Sequence, residues 1–446
     1  PKEVNLAQEV FNCFESYEFF GEFFESENSN AGRFAAKIKY SPQNGLQLEY
    51  SISDSEAPSS CERLFGILSN GKKCTLVGSF DFDSGTHHMG SVHVKSGLHG
   101  FFYLIIGDFV TEEQLVKSTH FTFNGMQEFI HPQGWLTQLK YQDSPIAEVS
   151  SDDWDIEVTN VATYSMVGDR LKNLIDSRDK DAKEKLDHAI DSIQETHPRA
   201  YFNLRKSLKY YIRYATKELE GAGDIINQIT KIASLFSILM SRPVFPEEIK
   251  LTLNNKDKVV SVLNSMVLES RTVKLAQKEV NHSFLPLNWK QLDMSTVLSN
   301  WFKVYDDFRV LSVAHQYETG YRTLHYAHSD IILYSTQLEA INLDLGGPSA
   351  TKYVGPIETY ASPELAFQLR KVFEKVNECD LGKAISTIRN ELAHVGRPKV
   401  MMNKFSIDDY VDIGHMLRLV VISHLLEKLG VDRERIHQYQ RRLSLE

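Results

Sequence analysis

Among the side chains able to do chemistry, Arg389, Asn390 and His394 stand out because they share one stretch, Leu381-Gly382-Lys383-Ala384-Ile385-Ser386-Thr387-Ile388-Arg389-Asn390-Glu391-Leu392-Ala393-His394-Val395-Gly396. Its apolar residues Leu381, Ile385, Ile388, Leu392 and Val395 recur at helical spacing and predict a helix with one face docked in a bundle. At about 100° per residue, Asn390 and His394 are nearly superposed, so the amide is expected to hydrogen-bond the imidazole and fix its tautomer. Arg389 lies between that polar strip and the apolar seam, with a fork long enough to reach the space beside the ring. Gly396 and Pro398 are expected to stop the helix just past His394, leaving the imidazole in the last turn, where carbonyl dipoles favour its protonated form. A guanidinium beside an oriented imidazole suits cleavage of an RNA phosphodiester: a base takes the proton of the ribose 2′-hydroxyl and a cation offsets charge on the phosphorus. Spacing alone equally fits a helix-terminal histidine satisfied by backbone and an arginine in a surface ion pair.

The elements that must hold such a site follow from the rest of the chain. It has 446 residues, 42% apolar and 24% charged, which fits a folded globular protein of two or three domains and excludes collagen-like, disordered and coiled-coil classes. A net charge of −10 argues against coating nucleic acid with the whole surface, so any such contact is local. Four scattered cysteines, with no Cys-x-x-Cys pair, fit a reducing cytoplasm rather than a disulfide framework or a zinc site. No apolar run approaches the ~20 residues of a membrane span, and neither secretion nor membrane insertion is expected.

The pattern predicts an α+β protein: a β-rich, sandwich- or barrel-like region over 1–155, a helical middle over 156–307 and a helical bundle over 308–446. Strand-like runs at Phe19–Phe24, Phe34–Tyr40, Leu46–Ile52, Cys74–Phe82, Phe101–Val110 and His120–Phe123 alternate with turn residues. Asn70-Gly71 between two such arms predicts a hairpin with a type I′ turn. Bundle helices are expected over Thr323–Asn342, Glu364–Asn377, Gly382–Val395 and Ile407–Leu429. In the middle, Thr196–Lys217 contains no acid, and Arg205, Lys209 and Arg213 recur every four residues among tyrosines. If helical, they form one basic stripe, either an RNA-backbone track or a solvated face. His87, His88, His93 and His99 gather near Asp81 and Asp83, a combination that more often marks loop or edge histidines than a metal site. No metal or cofactor is expected.

Arg389-Asn390-Glu391-Leu392-Ala393-His394 on a C-terminal bundle helix resembles the R-x4–6-H signature of the HEPN superfamily, in which the arginine is typically followed by Asn, Asp or His. The following Gly396, the preceding helices and Gln337-Leu338-Glu339-Ala340 are similar to its ApeA-like branch. Phe65-Gly66-Ile67-Leu68, Asn70-Gly71, Thr75-Leu76 and the Phe129–Trp135 segment are similar to the N-terminal region paired with that branch. The resemblance implies a metal-independent endoribonuclease of antiphage, abortive-infection defence directed at tRNA. His394 would be its general acid/base, with Arg389 stabilising the phosphate and Asn390 orienting the site. Two copies of the motif would meet across a two-fold axis in a homodimer or dimer-based oligomer, and a phage-derived trigger would bind the N-terminal region. Two readings from other classes stand beside it: a catalytically silent HEPN scaffold for dimerisation or ligand binding, and a carbohydrate- or protein-binding β domain on a helical stalk.

Overall fold

The computed structural model describes residues 10–444 apart from 27–31, 54–59, 83–85, 90–91, 131–143, 167–170, 200–202, 256, 321–326 and 395. Fourteen strands are described: β1 (Tyr17–Phe24), β2 (Phe34–Ser41), β3 (Gly45–Ser53), β4 (Cys61–Leu68), β5 (Lys73–Phe80), β6 (Thr86–Met89), β7 (Val92–Phe101), β8 (Tyr103–Ile106), β9 (Val116–Phe123), β10 (Ala147–Ser150), β11 (Trp154–Met166), β12 (Asn203–Thr216), β13 (Pro246–Leu253) and β14 (Val259–Asn264). All pair antiparallel in one sheet of order β10-β11-β12-β9-β13-β14-β8-β5-β4-β1-β2-β3-β7-β6. Among the described residues the order has two free ends, so the sheet is open rather than a closed barrel.

The α+β class holds, but the sheet does not stop at residue 155. That boundary cuts through β11, and the expected helical middle contributes β12, β13 and β14 as well. The predicted basic helix is the strand β12. Residues four apart share a face in a strand as they do in a helix, so the repeat of Arg205, Lys209 and Arg213 could not separate the two. The tyrosines and Ile212 among them tip the balance toward a pleated, half-buried surface. Tyr210, Tyr211 and Tyr214 are buried. The Asn70-Gly71 hairpin is present, with a different turn: only Gly71 has positive φ, at 80°, while the Gly71 amide donates to the Leu68 carbonyl at 2.8 Å and the Leu68 amide to the Lys72 carbonyl at 2.9 Å. The loop thus has three residues, with glycine at its left-handed position, instead of a two-residue type I′ turn.

The helices are α1 (Met126–Ile130), α2 (Leu171–Leu174), α3 (Lys180–Thr196), α4 (Ala222–Leu239), α5 (Ser270–Gln277), α6 (Met294–Phe308), α7 (Val313–Glu318), α8 (Ala327–Asp344), α9 (Val354–Tyr360), α10 (Pro363–Glu374), α11 (Leu381–Ala393), α12 (Ile407–Lys428) and α13 (Arg433–Ser444). Capping side chains start the bundle helices where the sequence places them: Ser362 accepts from the Leu365 amide, Asp380 from the Lys383 amide and Ser406 from the Asp409 amide. The apolar α4 is buried along most of its length, between β9 and β13 on one side and α6 and α7 on the other. One apolar core runs from the sheet through α4 into α8, α11 and α12. A second lies among β1 to β5 and α5.

Candidate active site

Helix α11 rests on α8 and α10, with Leu381, Ala384, Ile385 and Ile388 buried. The seam then takes a polar turn, because Glu391 is also buried, at 5% exposure. Its carboxylate accepts the Met401 amide on both oxygens at 3.1 Å and the Met402 amide on Oε2 at 2.7 Å. Tyr410, on α12, donates its hydroxyl to the Met402 carbonyl. These bonds draw the chain back beside α11 immediately after it has left the helix. Leu392 is half-buried, and Val395 lies outside the described residues.

The helix ends one residue earlier than the glycine suggests. His394 is the C-cap, with extended backbone (φ −122°, ψ 114°), and only its amide remains tied to the helix, donating to the Asn390 carbonyl at 3.1 Å. Its carbonyl accepts the Lys399 ammonium at 2.9 Å. The expected Asn390 to His394 side-chain bond is not formed. Leaving the helix at His394 takes the two side chains out of their superposed register. The Asn390 Oδ1 instead accepts Arg389 Nη1 at 3.2 Å, which holds the guanidinium. The His394 side chain is exposed and has no hydrogen-bond partner among the described residues. Arg389 is half-buried, and its Nε is enclosed without a partner.

A second polar group lies on the neighbouring helices; the sequence resemblance included its Glu339 in Gln337-Leu338-Glu339-Ala340 but gave it no partners. The Glu339 carboxylate, on α8, accepts Lys352 Nζ at 2.9 Å and the Tyr353 hydroxyl at the start of α9. Burial alone would raise its carboxyl pKa, but the two donors, with the charges of Lys352 and Arg389, outweigh that and hold it below the ordinary value. Glu339 thus stays ionised within the field of Arg389. Nothing in the spacing of α8 marks Glu339, and only the folded arrangement of α8, α9 and α11 brings it near the arginine. Glu391 was equally hidden, since a carboxylate on an apolar seam reads as an exception to the pattern.

The second predicted cluster is not a free basic track. Lys209 Nζ pairs at 2.5 Å with Glu248 on β13, the strand beyond β9, while Arg213 pairs with Glu157 at 2.6 Å and Lys217 with Asp155 at 2.5 Å, both acids on the neighbouring β11. The Arg205 side chain lies outside the described residues. Strand register sets Arg213 and Lys250 on either side of His120. Burial first, then those two cations, pushes the His120 pKa down to about 4. The side chains of His87, His88 and His93 lie outside the described residues, whereas His99 stacks on Tyr50 at 5.2 Å and meets Phe82 edge-on. Among the described residues no group of three or more His, Cys, Asp or Glu is placed to hold a metal ion, and no helix is long and apolar enough to cross a membrane.

Residues 329–435 match the family model for the Apea-like HEPN domain, and residues 18–301 match that for ApeA N-terminal domain 1. The chain belongs to the ApeA-like HEPN family. The N-terminal match runs through β11 to β14 and α4, so the family's first domain includes the middle region that sequence patterning set apart. No curated protein and no solved structure matches the chain. HEPN domains are generally ribonucleases that bind RNA and dimerise, and this family membership points to a nuclease-type role in antiphage defence.

Proposed function

We propose that this protein is a metal-independent endoribonuclease of antiphage defence that acts on tRNA in the cytoplasm. The observation that carries the reading is the end of α11, where a guanidinium held by Asn390 sits a turn and a half from an imidazole open to solvent. In the reaction His394 takes the proton of the ribose 2′-hydroxyl as its oxygen bonds to the adjacent phosphorus. The bond from phosphorus to the 5′-oxygen breaks, and the imidazolium returns the proton to that oxygen. The products are a 2′,3′-cyclic phosphate and a 5′-hydroxyl. Arg389 offsets the charge gathered on the phosphate oxygens in between. Asn390 serves the arginine rather than the histidine.

The site works as a two-fold pair in this reading. Ile407 and Val411, four apart on α12, are exposed, as is Val400 in the turn after His394, and these apolar side chains favour a contact with a second copy. A phage-derived trigger binding the sheet then biases the paired bundles from idle to active. The test is total cellular RNA, and purified tRNA, incubated with the chain in EDTA. Cleavage to 2′,3′-cyclic phosphate ends, lost in His394→Ala, is expected. DNA should be spared for want of a 2′-hydroxyl. A requirement for Mg2+ would overturn the mechanism, and absence of cleavage under all conditions would leave the silent-scaffold reading. Mixing Arg389→Ala chains with His394→Ala chains is expected to restore partial activity, while an active monomer by light scattering would overturn the pairing.

A further inference from the structure

The turn that follows His394 has a composition unlike the rest of the molecule. From Gly382 to Ser406 the chain carries Lys383, Arg389, Arg397, Lys399 and Lys404 against a single acid, Glu391, within a protein of net charge −10. That one carboxylate is buried and committed to backbone amides, so it neutralises none of these cations at the surface. Arg397 and Lys404 are exposed, and among the described residues neither side chain has a hydrogen-bond or ion-pair partner. Lys399 spends its ammonium on the His394 carbonyl. The sheet deals with its cations differently, matching Lys209, Arg213 and Lys217 each to a carboxylate. Unmatched cations beside a phosphate-handling histidine, on a turn fixed at its base, have the makings of a polyanion contact.

We propose that the 396–404 turn is the RNA-backbone clamp of this site: Arg397 and Lys404 take phosphates flanking the scissile one, and Glu391 is the positioning residue that pins the turn against α11. The proposal rests on the nuclease reading above. Geometry makes the pin specific. Three amide contacts from 2.7 to 3.1 Å converge on one carboxylate, and the Tyr410 hydroxyl holds the same turn at the Met402 carbonyl. Between this base and the Lys399 bond to His394, the turn cannot shift without moving the backbone that carries the imidazole. Exposed cations on a mobile loop lose much of their binding to ordering entropy, a cost that a pinned turn avoids.

The test uses the full-length chain with His394→Ala, which holds RNA without cutting it, and a labelled unstructured RNA oligonucleotide and a tRNA as probes. Binding is measured across salt concentrations. Adding Arg397→Gln or Lys404→Gln is expected to weaken binding several-fold and lower the salt slope by about 0.7 to 1 per residue, whereas Lys383→Gln, whose partner is Glu378, leaves the slope unchanged. Unchanged slopes in both Arg397 and Lys404 variants would overturn the clamp. In the otherwise native chain, Glu391→Gln is expected to lower kcat at saturating RNA by more than tenfold and to speed hydrogen exchange of the Met401 and Met402 amides, while Glu391→Asp recovers part of both. Normal exchange together with normal kcat in Glu391→Gln would overturn the pin. If the native chain cuts no RNA and the His394→Ala chain binds none, the nuclease reading itself fails, an outcome distinct from a bound RNA whose salt slope ignores Arg397 and Lys404.

Discussion

Two regions of this molecule gather lysine and arginine, and they treat them in opposite ways. On the sheet, β12 places its cations beside acids of β11 and β13, so that each charge is answered within the fold. At the end of α11, Arg389 hydrogen-bonds only the neutral oxygen of Asn390 and feels Glu339 through its field without an ion pair, and among the described residues Arg397 and Lys404 have no partner. Composition is nearly the same in both places. What differs is whether the topology delivers a carboxylate to the same face, and that cannot be counted from a window of sequence. A run of positive charge therefore says little about nucleic acid until its acids have been located across the strands or helices it packs against.

The largest effect should come from breaking the unanswered set. Arg389→Ala and His394→Ala are each expected to lower single-turnover cleavage by about 10²–10⁴, and the double variant should lose little more than the worse of the two. Multiplying losses would place them in separate events. Both chains should keep the native melting temperature, since neither side chain lies in the core. Next in size is the answered set. Lys209→Glu and Arg213→Glu bring like charges together beside Glu248 and Glu157, which should cost about 1 kcal/mol of stability each, read by denaturant unfolding, with the RNA salt slope unaltered. Recovery of stability in a Lys209→Glu, Glu248→Lys exchange would confirm the pairing, and a flattened salt slope would return these cations to the RNA surface.

A further effect is one of pH. His120 is held neutral in the folded sheet down to about pH 4, whereas in the unfolded chain it binds its proton near 6.5. Between those values the unfolded state carries the extra proton, so stability should be full above about 6.5 and decline as pH falls toward 4. His120→Gln should flatten that part of the stability profile measured by thermal unfolding. An unchanged profile would mean that Arg213 and Lys250 do not act on His120 as their register suggests.

The bundle was the legible part. Helices α10 and α11 have amphipathic faces of ordinary period, and α10, α11 and α12 follow Ser362, Asp380 and Ser406, whose side chains cap them. The middle was not legible on β12, where a spacing of four satisfies strand and helix alike. In the site, the residue types and their order were plain, but their bonds were not. Asn390 turned to Arg389 because the backbone quits the helix at His394, and Glu391 acquired its purpose only when Met401 and Met402 came back to meet it.

The burial of α4 also bears on how such a chain can be altered by recombination. Residues 302–328, between the two matched regions, look like a natural crossover point for exchanging one sheet region or one bundle for another. Yet the Ile238 carbonyl at the end of α4 accepts the Tyr439 hydroxyl from α13, and Ser241 just beyond it accepts Arg418 of α12. A crossover there would separate partners that meet across the junction, so a working hybrid is expected to need α4 to travel with the bundle it supports.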